Sequence, residues 1–210
     1  MTRPSRDIDQ KLLAAARALV VEKGFAALTV RAAAARARVN PGMFHYHFKS
    51  KRAFKRRVLG AVYEDFFEQF SSAVQGRDPL DRLRRSLRYL GRFARDHGRE
   101  GHTLILDALG GDRDTLAFFR ENFPRHLTVI KGLVAETQRV GALHKVPLPF
   151  AMTLILAGVG FPAFLFEAFR STGTKKPFGF TVHELSESLL TDKAIDDRVE
   201  AVLRGLGAAR

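Results

Sequence analysis

Only three residues, Arg38, Val39 and Asn40, separate two segments that read as helices, 30–37 and 41–46. Helices this short do not hold themselves in water, because a costly nucleus is repaid by very few hydrogen bonds. They form only against a longer support, and so tight a connection is that of a helix-turn-helix. The support lies just upstream. From Ile8, the apolar residues Leu12, Ala15 and Leu19 recur at helical spacing, reinforced by Leu13, Ala16 and Val20, until Lys23 and Gly24 supply a terminal charge and a left-handed cap. Thr29 then offers an N-cap, and Val30, Ala33, Ala34 and Ala37 make a small-residue stripe suited to close helix crossing. Asn40 caps the next helix with Pro41 at its first position, where a missing N–H costs nothing. Phe44 and Phe48 turn that helix inward.

The chain's charge points to what such a head would meet. Its 35 Lys and Arg outnumber 22 Asp and Glu, for a net charge of +13, and the excess is local. Residues 1–57 hold 14 Lys and Arg against 3 Asp and Glu, whereas residues 58–210 hold 21 against 19. A general solubility charge would be spread along the chain; this concentration is the footprint of a polyanion-binding head. A helix offered to the DNA major groove must fit a channel about 12 Å wide, with its N-terminal residues facing base edges. Gly42 keeps the second helix slim there.

Three runs carry a resemblance: Glu22-Lys23-Gly24-Phe25, then Leu28-Thr29-Val30-Arg31, then the stretch from Pro41-Gly42-Met43-Phe44 through His45-Tyr46-His47-Phe48 to Lys49-Ser50-Lys51. In order, spacing and caps they resemble the head of the TetR family of transcriptional regulators, over about residues 7–55. The resemblance implies that Thr29 and Arg31 touch phosphate or base from the first helix of the motif. Gly42, Met43, His45 and Tyr46 then form the exposed face of the recognition helix, and Lys51 holds a phosphate from the start of the fourth helix. Two positions depart from the family pattern. Arg38 occupies the turn position that is usually glycine, and His45 stands where an aromatic is usual, with Tyr46 beside it.

Beyond the head the pattern stays helical. Ser50 caps a helix over 51–74 with Phe54, Val58, Ala61, Val62, Phe66 and Phe70 along one side, and Asp78-Pro79 opens another that ends at His97 and Gly98. A shorter helix lies around 102–109, a pair or one kinked helix covers 114–140, residues 171–181 read as a loop, and a terminal helix covers 192–206. The predicted fold is all-α: a helix-turn-helix DNA-binding domain over 1–57 and a larger helical effector-binding and dimerisation domain over 58–210. The resemblance implies an effector pocket in the second domain. Its candidate lining is Tyr89, Phe93, His102, Leu104, Ile105, Phe119, Phe123, His126, Leu127 and Ile130, with Tyr89, His102 and His126 as polar orienters.

Several function classes are set aside. With no cysteine, disulfides, thiolate zinc sites and cysteine nucleophiles are excluded. His45 and His47 lie two apart on a helix and do not face each other, so no metal pair is expected. Asp107, Asp112 and Asp114 lack calcium-loop spacing and read as turn and capping groups. No GxSxG, HExxH, Walker or GxGxxG pattern appears, so neither an enzyme nor a cofactor is expected. Residues 146–166 contain Thr153 as their only polar side chain, but prolines and glycines interrupt them. They are expected as a buried helix at a subunit interface, with no membrane contact. The N-terminus lacks a secretory apolar region, which points to the cytoplasm. The expected partners are a pseudo-palindromic double-stranded DNA operator, a second copy of the chain and a small apolar or aromatic effector. The leading expectation is a repressor released by that effector; the alternatives are an effector-blind DNA-binding protein and an all-helical enzyme.

Overall fold

The computed structural model describes residues 5–23, 28–48 and 50–208. Every long segment among them is helical: α1 (Ser5–Lys23), α2 (Val30–Ala37), α3 (Gly42–His47), α4 (Lys51–Ala73), α5 (Pro79–Asp96), α6 (Gly98–Leu109), α7 (Arg113–Arg139), α8 (Leu148–Ile155), α9 (Phe161–Ser171), α10 (Val182–Leu190) and α11 (Asp192–Gly205). No strand occurs among the described residues. The chain divides into two compact units, Met1–Asp65 with Leu106–Asn122, and Phe66–Ile105 with Phe123–Arg210.

In the first unit, α1 turns Leu12, Ala16, Leu19 and Val20 inward, and α2 lays the fully buried Ala33 and Ala34 against them. The rings of Phe44, Phe48 and Phe54 close the centre, at 5.3 Å (44–48), 5.1 Å (44–54) and 4.7 Å (48–54) between centroids. Removing one such buried ring costs about 3–5 kcal/mol, so these three contacts fix how α3 sits on α4. Caps set the element ends. Thr29 Oγ1 accepts from the Ala32 N–H at 3.0 Å, Asn40 Oδ1 from the Gly42 N–H at 2.8 Å, and Ser50 Oγ from the Ala53 N–H at 3.1 Å. The expected Gly24 cap lies outside the described residues, as do Phe25 and Lys49. The turn after α2 is left-handed at Arg38 (φ 55°, ψ 41°). Its N–H reaches Ala35 O at 3.2 Å and the Val39 N–H reaches Ala34 O at 2.9 Å, the paired bonds of a Schellman ending. Residues 106–122 join this unit through Tyr63, whose hydroxyl donates to Asn122 O at 2.5 Å and whose ring meets Phe118 edge-on.

The second unit is built on α5, which buries Leu83, Leu87, Leu90 and Ala94. Antiparallel to it, α11 brings Ile195, Val199 and Leu203. Gly91 allows the two to close up: a Cβ there would stand 2.7 Å from Ile195 Cγ2. Beside this apolar seam runs a ladder of ion pairs. Arg84 meets Glu200 at 2.7 Å, Arg88 meets Glu200 at 3.0 Å and Asp196 at 3.5 Å, Arg92 meets Asp196 at 3.0 Å and Asp192 at 3.4 Å, and Arg95 meets Asp192 at 2.5 Å.

The apolar run forms α8 and α9, joined by a π-helical turn, Leu156–Gly160. Pro162 has no N–H to return to the Gly158 carbonyl four residues back, and Arg198 Nε from α11 donates to that carbonyl at 3.1 Å instead. A second donor of Arg198 reaches Leu189 O. The resulting helix, Leu148–Ser171, is long and apolar enough by composition to cross a membrane. Phe150, Leu156 and Phe161 are exposed along it.

Of the two arrangements expected over 114–140, the structure has the single helix, α7, with Pro124 inside it. Two other points differ from the sequence reading. Helix α6 already begins at Gly98, and Gly98 and Gly101 fit closely against Ala163 and the Phe164 ring of α9. Helix α10 was not expected at all, although Thr181 and Glu184 form a complete capping box at its start.

Candidate nucleic-acid interface

The head exposes one face of α3 and buries the other. Phe44 is fully buried and Phe48 is 2% exposed, whereas Met43 is 36% and Tyr46 79% exposed. So large an exposed ring on so short a helix is costly to leave in water and suits a partner surface. Gly42 is exposed at the start of α3, where a Cβ would press on Asn40 Oδ1 at 3.2 Å, so the cap and the slim entry require each other. The side chain of His45 lies outside the described residues. Thr29 is exposed; its oxygen already accepts the α2 cap bond, and its hydroxyl proton remains for an outside acceptor. Arg31 and Lys51 are both exposed. The predicted DNA-facing residues whose side chains are described thus fall at the start of α2, on the outer face of α3 and at the start of α4.

His47 turns the other way. Its side chain is 3% exposed, with Nδ1 2.6 Å from Asp9 Oδ1 of α1. Arg57 of α4 lies 3.7 Å from the other Asp9 oxygen and over the Phe48 ring. The last residue of the recognition helix is thereby tied to α1, and through Asp9 to α4.

Electrostatically, the start of α4 is unusual. Five of its first seven residues, Lys51, Arg52, Lys55, Arg56 and Arg57, are cationic, and its first turn holds no acid. Cations at a helix N-terminus oppose the helix dipole, so this pattern is unfavourable for the helix alone. Acids from elsewhere in the first unit answer it. Asp114 pairs with both Arg52 and Arg56, and Asp107 with Lys55 at 3.2 Å. Asp112 caps α7 by accepting from the Thr115 N–H at 2.8 Å. That bond, helped by the charges of Arg52 and Lys55, holds its carboxyl below the usual range. Among the described residues no group of acids and histidines is arranged to hold a metal.

The chain matches the model of the bacterial regulatory proteins of the tetR family over residues 12–58. Uncharacterised HTH-type transcriptional regulators of Mycobacterium bovis and Mycobacterium tuberculosis are 35% identical to it over 157 residues, covering 72% of this chain and 70% of theirs. The chain belongs to the TetR family. In fold, this TetR-family regulator is similar to a TetR transcription regulator from Haloarcula marismortui, with TM-score 0.69, 16% identity, and 93% and 98% of the two chains covered. It is also similar to a TetR-family regulator from Rhodococcus sp., with TM-score 0.67, 16% identity, and 96% and 98% covered. It is a DNA-binding transcriptional regulator with a helix-turn-helix head.

In the regulator's second unit, part of the predicted effector lining gathers around Phe66. Tyr89 (5.8 Å), Phe93 (4.4 Å) and His126 (5.3 Å) meet its ring, and Phe123 meets His126 edge-on at 5.3 Å. Burial pushes His126 down to about 4 and raises the Tyr89 phenol. Ile130 is fully buried, whereas His102, Leu104, Ile105 and Leu127 are half-buried in the same unit, and Phe119 belongs to the first unit. Phe66 and Phe70 of α4 were not among the expected lining; their spacing of four was the signal. A separate groove of about 370 Å³ is bordered by Glu187 and Thr191 on one side and Asp197 and Arg198 on the other.

Proposed function

We propose that this regulator is a cytoplasmic homodimeric repressor that holds a pseudo-palindromic operator through Thr29, Arg31, Gly42, Met43, His45, Tyr46 and Lys51, and that a small apolar or aromatic effector releases it. In this reading residues 1–57 are the DNA-binding domain and residues 58–210 bind the effector and the second copy. The observation that carries the DNA half is the 79% exposed Tyr46 beside Met43, on a helix whose other face is locked by Phe44 and Phe48. Two-fold symmetry in the protein is mirrored in the operator, with half-sites about one helical turn apart. The effector half rests on the ring cluster of Phe66, Tyr89, Phe93, Phe123 and His126, with the Tyr89 hydroxyl and a histidine kept uncharged by burial as its polar orienters. Coupling between effector and operator needs only about 1–3 kcal/mol, and it is reciprocal. The test is to footprint the purified chain on the promoter of its own gene, then titrate aromatic and acyl compounds into the complex. A protected inverted repeat that a compound releases supports the reading. Binding indifferent to sequence, or unmoved by every compound that shifts the melting temperature, overturns it.

A further inference from the structure

The cations at the start of α4 do not all face solvent on equal terms. Lys51 is exposed, and no ion pair is found for it among the described residues. One turn on, Lys55 shares its helix face but meets Asp107 at 3.2 Å. On the adjoining face, Arg52 and Arg56 are themselves one turn apart and converge on Asp114, one on each carboxylate oxygen. Asp114 is the most covered member of the group, with its side chain 16% exposed, whereas the two arginines are 59% and 53% exposed. Two cations straddling one half-buried, singly charged, two-oxygen acceptor is the geometry in which guanidinium groups also hold a phosphate diester. The acids flank a short turn between α6 and α7 that is shaped by Gly111 in a left-handed conformation (φ 81°) and by the Asp112 cap, so both are presented from a fixed corner of the same unit.

We infer that the α6–α7 turn is a built-in phosphate mimic: Asp107 and Asp114 occupy Lys55, Arg52 and Arg56, cations that would otherwise grip the DNA backbone regardless of sequence. The consequence lies in discrimination. Phosphate contacts raise affinity for every duplex alike and carry no sequence information, so masking three of them lowers background binding while leaving α3 free to read bases. The inference rests on the head's role in DNA binding, and its test is built so that the two fail separately.

The full chain is titrated with random-sequence duplex DNA by fluorescence anisotropy over a range of salt concentrations, with helix content and melting temperature followed for each variant. Freeing two arginines in Asp114→Asn steepens the plot of log affinity against log salt by up to about two units, and Asp107→Asn by up to about one, since each new phosphate contact adds about 0.9. Between about 50 and 200 mM salt, the two-arginine effect amounts to roughly tenfold extra loss of affinity. The paired variant Arg52→Gln/Arg56→Gln keeps the question decidable if Asp114→Asn is poorly stable. Placed in the Asp114→Asn background it removes the added slope, and in the otherwise unchanged protein it costs clearly less. Equal slopes in Asp114→Asn and the unchanged protein, or equal losses on removing the arginines from both backgrounds, overturn the mimic. Lys51→Ala, run alongside, flattens the slope by about one unit; if it changes nothing, the Lys51 contact proposed for the head fails, while the mimic stands or falls on the Asp114→Asn and arginine slopes.

Discussion

At the scale of single residues, the proposed reading separates side chains that hold from side chains that read: the exposed Lys51 is assigned to a phosphate, and Met43 and Tyr46, on the outer face of α3, to base edges. Changing Met43 or Tyr46 to Ala is therefore expected to reorder a panel of operator variants, with about 1–3 kcal/mol lost at the contacted base pairs. Lys51→Ala lowers all of them alike. A competition assay over single-base operator variants distinguishes the two, and an unchanged ranking for both Met43→Ala and Tyr46→Ala refutes the assignment. His126 gives a prediction in pH. Burial holds it at about 4 in the folded chain, while in the unfolded chain it titrates near 6.5. A base with a depressed folded pKa contributes full stability above the unfolded value and loses it as pH falls, because only the unfolded state takes up the proton. Between about 6.5 and 4 this removes on the order of 3 kcal/mol. The melting temperature is expected to fall over that window and to fall less steeply in His126→Gln; parallel curves refute the burial argument.

At the scale of elements, one side chain stands in for a backbone partner that proline has removed. Arg198 serves both Gly158 O, opposite Pro162, and Leu189 O. Arg198→Leu is expected to cost about 1–3 kcal/mol for each carbonyl left unpaired, read as a lower melting temperature; an unchanged melt shows that water replaces the arginine freely. Local signals were legible in the sequence. The caps at Thr29, Asn40 and Ser50 and the inward Phe44 and Phe48 placed α2, α3 and the start of α4, because each acts within a few residues. The Thr181 and Glu184 capping box was equally local, but the expected loop ended at Thr181 and no helix was read between it and residue 192. The pairing of Asp114 with Arg52 and Arg56 was out of reach, since it joins positions 58 or more residues apart and no periodicity reports it. For the same reason Asp107 and Asp114 read only as turn residues.

At the scale of the whole molecule, the helix Leu148–Ser171 exposes Phe150, Leu156 and Phe161 to solvent in a single chain. We expect that face to be covered by a second copy, with the helix and α11 of each chain meeting across a two-fold axis as a four-helix interface. Sedimentation at micromolar concentration is expected to show a dimer, and Phe161→Glu to shift it to monomer with weakened operator binding; a stable monomer without the substitution refutes it.

The ladder between α5 and α11 has a consequence of its own. Arg84, Arg88 and Arg92 recur every four residues, and so do Asp192, Asp196 and Glu200 on the facing helix. A slide of one turn, about 6 Å, would bring each arginine to the next acid and keep most of the pairs. The charges hold the helices side by side, but like teeth on two evenly cut racks they do not say which tooth meets which. That choice falls to one irregularity in the apolar seam. Ile195 seats over Gly91, where a Cβ would stand 2.7 Å from its Cγ2, and one turn away the same methyl would meet Leu87 or Arg95 instead. The smallest side chain on α5 thus sets the register that four arginines leave open.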